Sequence, residues 1–274
     1  MPEVRIVVPN ELDRALDGLV KAGFAGNKAE LARIALTHLM STLPRQMSHG
    51  YDLETAFSPD GRLFQLEYAT ECTYRGGTIA GVCCSEGVVL AKELKMTPLM
   101  VAPNPFVKIF KINNTIGMVY CGLLPDGYLI VEEALRQMRA VNGLDIEGLA
   151  GKLFLFTHPF TQRKDVRPLG TAFILGGLDA EGKPRLFLLT SYGYAVEYRA
   201  CADGMGREVA KGILEKGYRV DLSLEEARAL AVKAVLRKKA IAENVLVTSI
   251  DAKTRNFTEV SVDEKKRLLN RIFP

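Results

Sequence analysis

The chain has 274 residues, with 36 Lys and Arg against 32 Asp and Glu, a formal net charge of +4. It is 48% hydrophobic and 25% charged, which excludes a disordered tail, a collagen-like repeat or an acidic activator. The length fits one large domain or two unequal ones. The small net charge gives no strong phosphate footprint. Five cysteines (Cys72, Cys83, Cys84, Cys121, Cys201) without CxxC spacing, and only three His, read as free thiols of a cytoplasmic protein, with no metal site and no cofactor expected. No apolar stretch approaches the ~20 residues of a membrane span.

In chain order, residues 3–9 alternate as a strand, with Val4, Ile6 and Val8 on one face and Glu3, Arg5 and Val7 on the other. Pro9-Asn10 closes it and opens a helix with Leu12, Leu16, Leu19 and Val20 at helical spacing. Gly23 suits the helix end. Asn27 and Glu30 form an N-cap and its return partner for a second helix reaching about Leu43. That helix carries two apolar stripes, Leu31, Ile34, Ala35, Leu39 and Leu36, Met40, Leu43. One strand and two helices cannot bury so much, so the unit is expected to dimerise. Residues 44–50, PRQMSHG, lack apolar periodicity and supply a linker, set at 45–50.

Ser58-Pro59-Asp60-Gly61 then marks a turn, followed by a helix over 61–72. Strands are predicted near 78–84, 87–92, 107–112, 115–121, 171–178 and 185–190, and a last one at Val245–Ile250. Helices are predicted from Asp126 to about Val141, over 146–156, over 203–216, and from the Ser223-x-x-Glu226 capping box to about Glu243. Two strand-rich blocks flanked by helices suit two sheets packed face to face with helices outside, an α+β fold.

The front segment, VRIVVPNELDRALDGLVKAGFAGNKAELARIAL, resembles the ribbon-helix-helix family over residues 1–44. The resemblance implies paired strands facing bases in the major groove and the N-terminus of the second helix on phosphate. Arg5, Val7, Asn27 and Lys28 would be the DNA-contacting residues. Against this, residues 1–50 hold six Lys and Arg and five acids, a net of only +1. A dimerisation module that no longer binds DNA is the other reading.

The string YDLETAFSPDGRLFQLEYA, residues 51–69, resembles the N-terminal signature of proteasome α subunits. EGVVLAKE, KIFKI, CGLLPD and VRPLGTAFILGGLD extend the resemblance over 51–274. It implies the four-layer αββα sandwich of the N-terminal nucleophile hydrolase fold, in a homo- or hetero-oligomeric α ring of seven, stacked on β subunits. It implies no catalysis here: Gly77 stands where β subunits carry the nucleophilic Thr, and Asn244 replaces a late Asp. Thr78 is one residue out of register, and on a strand that reverses its face. Glu93 and Lys108 match the remaining acid and lysine.

In α subunits the equivalent of Lys108, with Gly76 and Leu123, lines a pocket for the C-terminal carboxylate of an AAA ATPase activator. Tyr51, Asp52, Pro59 and Tyr68 match the residues that hold the axial gate open, although Leu53 replaces the usual Arg. Three functions follow as expectations. The first is a non-catalytic α-type ring subunit whose front domain modifies assembly or gating. The others are a DNA-binding transcriptional regulator using the α-type fold as an oligomerisation scaffold, and a structural ring without a β partner.

Overall fold

The computed structural model describes residues 8–22, 25–42 (side chains to 36), 55–94, 99–100, 108–236 and 241–273. Residues 3–7 of the strand predicted at 3–9, Gly23, the linker at 45–50, and Tyr51, Asp52 and Leu53 lie outside the described residues, as do the side chains of Leu39, Met40 and Leu43; Val8 and Pro9 are described and are not in a strand. The chain divides into two compact units, Met1–Asp52 and Leu53–Pro274.

The first unit contains α1 (Asn10–Lys21) and α2 (Lys28–Thr42). Pro9, not Asn10, is the N-cap of α1, and no side chain caps it. Pro9 lacks a donor, and Asn10 already has helical backbone, so its amide cannot turn back on the first turn. At α2 the cap forms as predicted. Asn27 Oδ1 accepts from the Glu30 amide at 2.8 Å, whereas the Glu30 carboxylate reaches Gly26 N instead of Asn27 N. No residue of α1 is buried, and Leu12, Leu19, Ile34 and Leu36 are all more than two-fifths exposed.

The second unit begins with α3 (Phe64–Arg75). Two antiparallel sheets follow. The first comprises β1 (Ile79–Cys84), β2 (Gly87–Glu93), β8 (Ala200–Asp203), β9 (Val245–Asp251) and β10 (Asn256–Glu259), in the order β10-β9-β2-β1-β8. The second comprises β3 (Phe110–Lys111), β4 (Ile116–Gly122), β5 (Thr171–Leu178), β6 (Pro184–Leu189) and β7 (Ala195–Glu197), in chain order. The remaining helices are α4 (Leu124–Ala140), α5 (Ile146–Thr157), the short α6 (Pro159–Gln162), α7 (Arg207–Gly217), α8 (Leu224–Leu236) and α9 (Val262–Ile272).

Side-chain alternation sorts the strands into three cores. Ala80, Val82, Val89 and Ala91 meet α7, α8 and α9. Met118, Tyr120, Phe173 and Leu175 meet α4 and α5. Ile79, Val88, Leu90, Val119, Ile174 and Leu186 interdigitate between the sheets. The layers therefore run helix, sheet, sheet, helix. Central strands are buried on both faces, which is why they read as continuous apolar runs and not as alternation.

Several predictions near the C-terminal half need correction. The helix predicted from 203 begins at Arg207, because residues 200–203 pair with β1 and Gly204 turns the chain at φ +97°. Of the helix predicted to reach Glu243, α8 is described to Leu236 and residues 237–240 lie outside the described residues, while Ala242–Asn244 form a separate 3-10 turn. Val245–Ile250 is not the last element: β10 pairs with it, and α9 opens on Ser261, whose Oγ accepts from Glu264 N. The Ser223–Glu226 box forms in both directions, at 2.9 and 3.3 Å.

Candidate functional site

The surface that carries Gly76, Lys108 and Leu123 is built from strand ends. β3 pairs with β4 through Phe110 opposite Met118, and continuing that register sets Lys108 level with Tyr120. The exposed Lys108 ammonium lies 5.4 Å from the Phe110 ring centroid. Phe110 in turn stacks on Tyr120 at 5.8 Å and 20°. β4 ends on Gly122, at φ +102°, where an added Cβ would fall 2.2 Å from the Gly170 carbonyl. Only glycine tolerates both that conformation and that approach. Leu123 follows, two-fifths exposed, and its amide donates to Gly170 O at 2.9 Å. Gly76 ends α3 against the same place, so that a Cβ there would fall 2.3 Å from Gly122 N. The structure thus brings Gly76 and Leu123 together through Gly122, with Lys108 on the neighbouring strand run.

An ion pair between a buried carboxylate and a largely exposed guanidinium, unforeseen in the sequence, braces this surface. Asp126, in the first turn of α4, is buried and accepts two Arg167 hydrogen bonds at 2.6 Å and one from Gly170 N at 2.8 Å. The carboxylate raises the Arg167 pKa and satisfies a backbone donor that would otherwise be buried alone. Its signal lies in Arg167-Pro168-Leu169-Gly170 within the VRPLG string and in the acid of CGLLPD.

The stretch at Gly77 and Thr78 is closed. Gly77 has no room for a side chain, because a Cβ would lie 2.6 Å from the Glu93 carbonyl. Thr78 is fully buried. Its hydroxyl donates to Glu93 Oε2 at 2.9 Å and accepts from Gly206 N at 3.2 Å, and its amide also donates to Glu93. A hydroxyl so buried and so occupied is not presented to a scissile carbonyl. Gly204 packs an absent Cβ onto Gly77 O, and Met205 N donates to Gly76 O at 3.0 Å, sealing the turn over the strand. Asn244 ends the 3-10 turn, its carbonyl accepting from Leu94 N at 2.7 Å.

Of the predicted gate residues, Pro59 and Tyr68 are described. Pro59 is exposed on the predicted turn, which forms through Gly61 N to Ser58 O and Ser58 N to Arg62 O. Tyr68 is half-buried on α3, 6.4 Å from the Phe64 ring. Among the residues expected at DNA, Arg5 and Val7 lie outside the described residues. Asn27 spends its side-chain oxygen on the α2 cap. Lys28 pairs with Asp13 at 2.7 Å and Asp17 at 2.9 Å, which raise its pKa.

No helix among the described residues is long and apolar enough to cross a membrane. The family model described as "Proteasome subunit" matches residues 73–247, and the model of the N-terminal signature of A-type proteasome subunits matches residues 51–71. The proteasome alpha subunit of Methanothermobacter thermautotrophicus is 38% identical over 226 residues, 79% of this chain and 91% of that protein. That of Methanobrevibacter smithii is 37% identical over 232 residues, 81% of this chain and 92% of its own length. That of Methanocaldococcus jannaschii is 35% identical over 225 residues, covering 80% and 86%.

Proposed function

The chain belongs to the proteasome subunit family, in its α-type branch, and from that premise we propose how its surfaces are used. It is a non-catalytic subunit of the outer ring, standing in an α ring with β subunits. Our reading is that the ring has seven members and that Gly76, Lys108 and Leu123 receive the C-terminal carboxylate of an AAA ATPase activator. Tyr51, Asp52, Pro59 and Tyr68 act at the gate on the substrate entry path. The reading extends to the silent hydrolase position, which we assign to Gly77 and to Asn244 in place of a late Asp.

The observation that carries the docking reading is the exposed Lys108 ammonium, which has no carboxylate partner among the described residues. On the neighbouring strand end, Gly76 and Gly122 close on one another and leave Leu123 two-fifths exposed. A point cation with adjacent backbone donors is the chemistry that captures a terminal carboxylate. Co-expression with an archaeal β subunit tests the reading. Assembled complexes should hydrolyse a fluorogenic peptide, and an added peptide with a free hydrophobic-Tyr-X terminus should stimulate hydrolysis through Lys108. Hydrolysis by this chain without β subunits, or stimulation that survives Lys108→Ala, would overturn it.

We assign residues 1–44 to a ribbon-helix-helix-like dimerisation domain, joined by a linker at 45–50 to the α-type domain at 51–274. Apolar side chains of α1 and α2 exposed in the single chain (Leu12, Leu19, Ile34, Leu36) support pairing. A linker of about seven residues, counted from Pro44, spans at most ~25 Å. Pairs do not divide a ring of seven, so one copy is left over unless two rings pair. Native mass spectrometry of full-length and front-deleted chains should then give different oligomers, and equal stoichiometry would refute a role in assembly. The regulator reading has less support, since Lys28 is already neutralised by two acids; a gel shift at low salt would revive it. We take the protein to work in the cytoplasm, where its five free thiols stay reduced.

A further inference from the structure

We propose that Lys92 is a second, buried cation of the docking surface, one that strengthens the capture of an anionic tail at Lys108 only while it keeps its proton. The proposal rests on the docking reading of Lys108 and adds a residue to it.

Strand alternation on β2 turns Val88, Leu90 and Lys92 toward the other sheet. A lysine at a strand end would ordinarily run its stem along the surface and keep its head in water. Lys92 instead is 6% exposed, and its Nζ donates to Tyr120 O at 2.9 Å. The same ammonium lies 4.4 Å from the Tyr120 ring centroid. That ring stacks on Phe110, and Phe110 carries Lys108 at 5.4 Å. Lys92, Tyr120, Phe110 and Lys108 therefore form one series, a buried cation at one end and an exposed cation at the other. Between them runs the end of β4 that leads into Gly122 and Leu123.

The charges around Lys92 leave its own charge uncompensated. Glu93 on the same strand is occupied by Thr78. On β4 the groups facing it are Tyr120 and Cys121, both held in their neutral forms by burial. Tyr128 from α4 faces Tyr120, and Asp203 from β8 faces Cys121, its own carboxyl pushed up by burial. The strand partners of Lys92, Ile79 on β1 and Leu246 on β9, are apolar. No carboxylate pairs with Lys92 among the described residues. Burial lowers its pKa from 10.5 to about 8, so its charge changes across a range in which proteins are routinely handled. A carboxylate docked at Lys108 stabilises the protonated form, and by linkage the protonated form strengthens docking.

The test uses the full-length chain as it assembles and an N-acetylated heptapeptide ending in Leu-Tyr-Arg, as free acid and as C-terminal amide. Fluorescence anisotropy at pH 7, 8 and 9 reads the affinity. For a charge on the order of 10 Å away at an effective dielectric of about 20–40, protonation of Lys92 should favour acid binding about four- to fifteenfold; because the bound carboxylate raises the Lys92 pKa, wild-type affinity should fall about three- to sixfold from pH 7 to 9. Lys92→Met should bind the acid at the weaker level throughout, with a flat profile. Lys108→Met should lose the preference for acid over amide. A Lys92→Met profile that still falls like the wild type overturns the proposal and leaves the docking reading intact. No preference for acid over amide in the wild type overturns the docking reading and this inference with it. Calorimetry of the wild type at pH 8, in buffers of different ionisation enthalpy, gives a readout independent of any variant. Uptake of roughly 0.3–0.4 proton on acid binding is expected, and zero uptake would reject Lys92 as the coupled group.

Discussion

Gly76 and Gly77 are neighbours in sequence and serve opposite ends. Gly76 lets α3 close onto Gly122, which leaves Leu123 and Lys108 on an accessible surface. Gly77 lets β1 close onto the Glu93 carbonyl, which leaves Thr78 buried and hydrogen-bonded on every side. One missing Cβ opens a surface and the next shuts a cleft. The lesson is that a place closed by main chain is not reopened by a new side chain. The Glu93 carbonyl fills the space that a side chain at Gly77 would take, so any replacement there has to move backbone.

Gly77→Thr breaks the contrast most directly. A Cβ at 2.6 Å from a carbonyl must displace main chain, so we expect a loss of about 3 kcal/mol or more and no gain of peptidase activity. Thermal denaturation and a fluorogenic peptide assay read both outcomes, and any hydrolysis above background would show that the cleft is still usable.

Lys92→Met sharpens the contrast from the buried side, with the opposite sign. The folded-state pKa lies below the unfolded value, at about 8 against 10.5. Below pH 8 both states hold the proton and the fold bears the full cost of the buried ammonium. Between about 8 and 10.5 the unfolded chain binds more protons, so wild-type stability rises with pH by up to about 3 kcal/mol. Lys92→Met should be the more stable protein at pH 7 and should lack this rise. Melting curves at pH 7.5, 9 and 10 that stay parallel for the two proteins would contradict it.

Asp126→Ala attacks the open surface from below. It strands the buried Gly170 amide and unpairs Arg167, which is largely exposed and can recover water. We therefore expect a loss of about 2 kcal/mol, within the range for an orphaned buried donor, together with weaker capture of a carboxylate peptide. Unaltered stability would mean that Gly170 finds another acceptor. The smallest effect is expected from Thr78→Val, which keeps the volume and leaves Gly206 N without its acceptor at 3.2 Å, for about 1 kcal/mol by the same reasoning. Its peptide capture should match the wild type. A drop there would show that the closed and open places are coupled.

How much of this is legible in the sequence depends on whether the signal is local. The Ser223-x-x-Glu226 box, the Ser58–Gly61 turn and the central strands are local patterns, and each forms where the sequence places it. Ser261-x-x-Glu264 carries the same box and opens α9, yet it escapes a reading in which Val245–Ile250 is the closing strand. β7 and β8 are three and four residues long and read AVE and ACAD, too short and too rich in alanine to carry a strand signal of their own. They are strands because β6 and β1 present free edges to them. At the candidate site the glycines and Lys108 are visible as motif residues. The Asp126–Arg167 pair spans 41 positions and the Lys92–Tyr120 contact 28, and no spacing rule links residues that meet only across strands or sheets.

The cysteines have a kinetic consequence. Cys84, Cys121 and Cys201 are buried in the cores, and burial pushes their thiols upward, while the half-buried Cys83 is raised to about 12. Thiolate, the species that alkylates, is therefore scarce at these positions as long as the sheets stay packed. Each becomes an ordinary thiol once its strand opens. Cys83 and Cys84 on β1, Cys121 on β4 and Cys201 on β8 give every stage of opening its own chemical timestamp. Pulse alkylation followed by mass spectrometry would then give the order in which the two sheets separate, using only the residues the chain already carries.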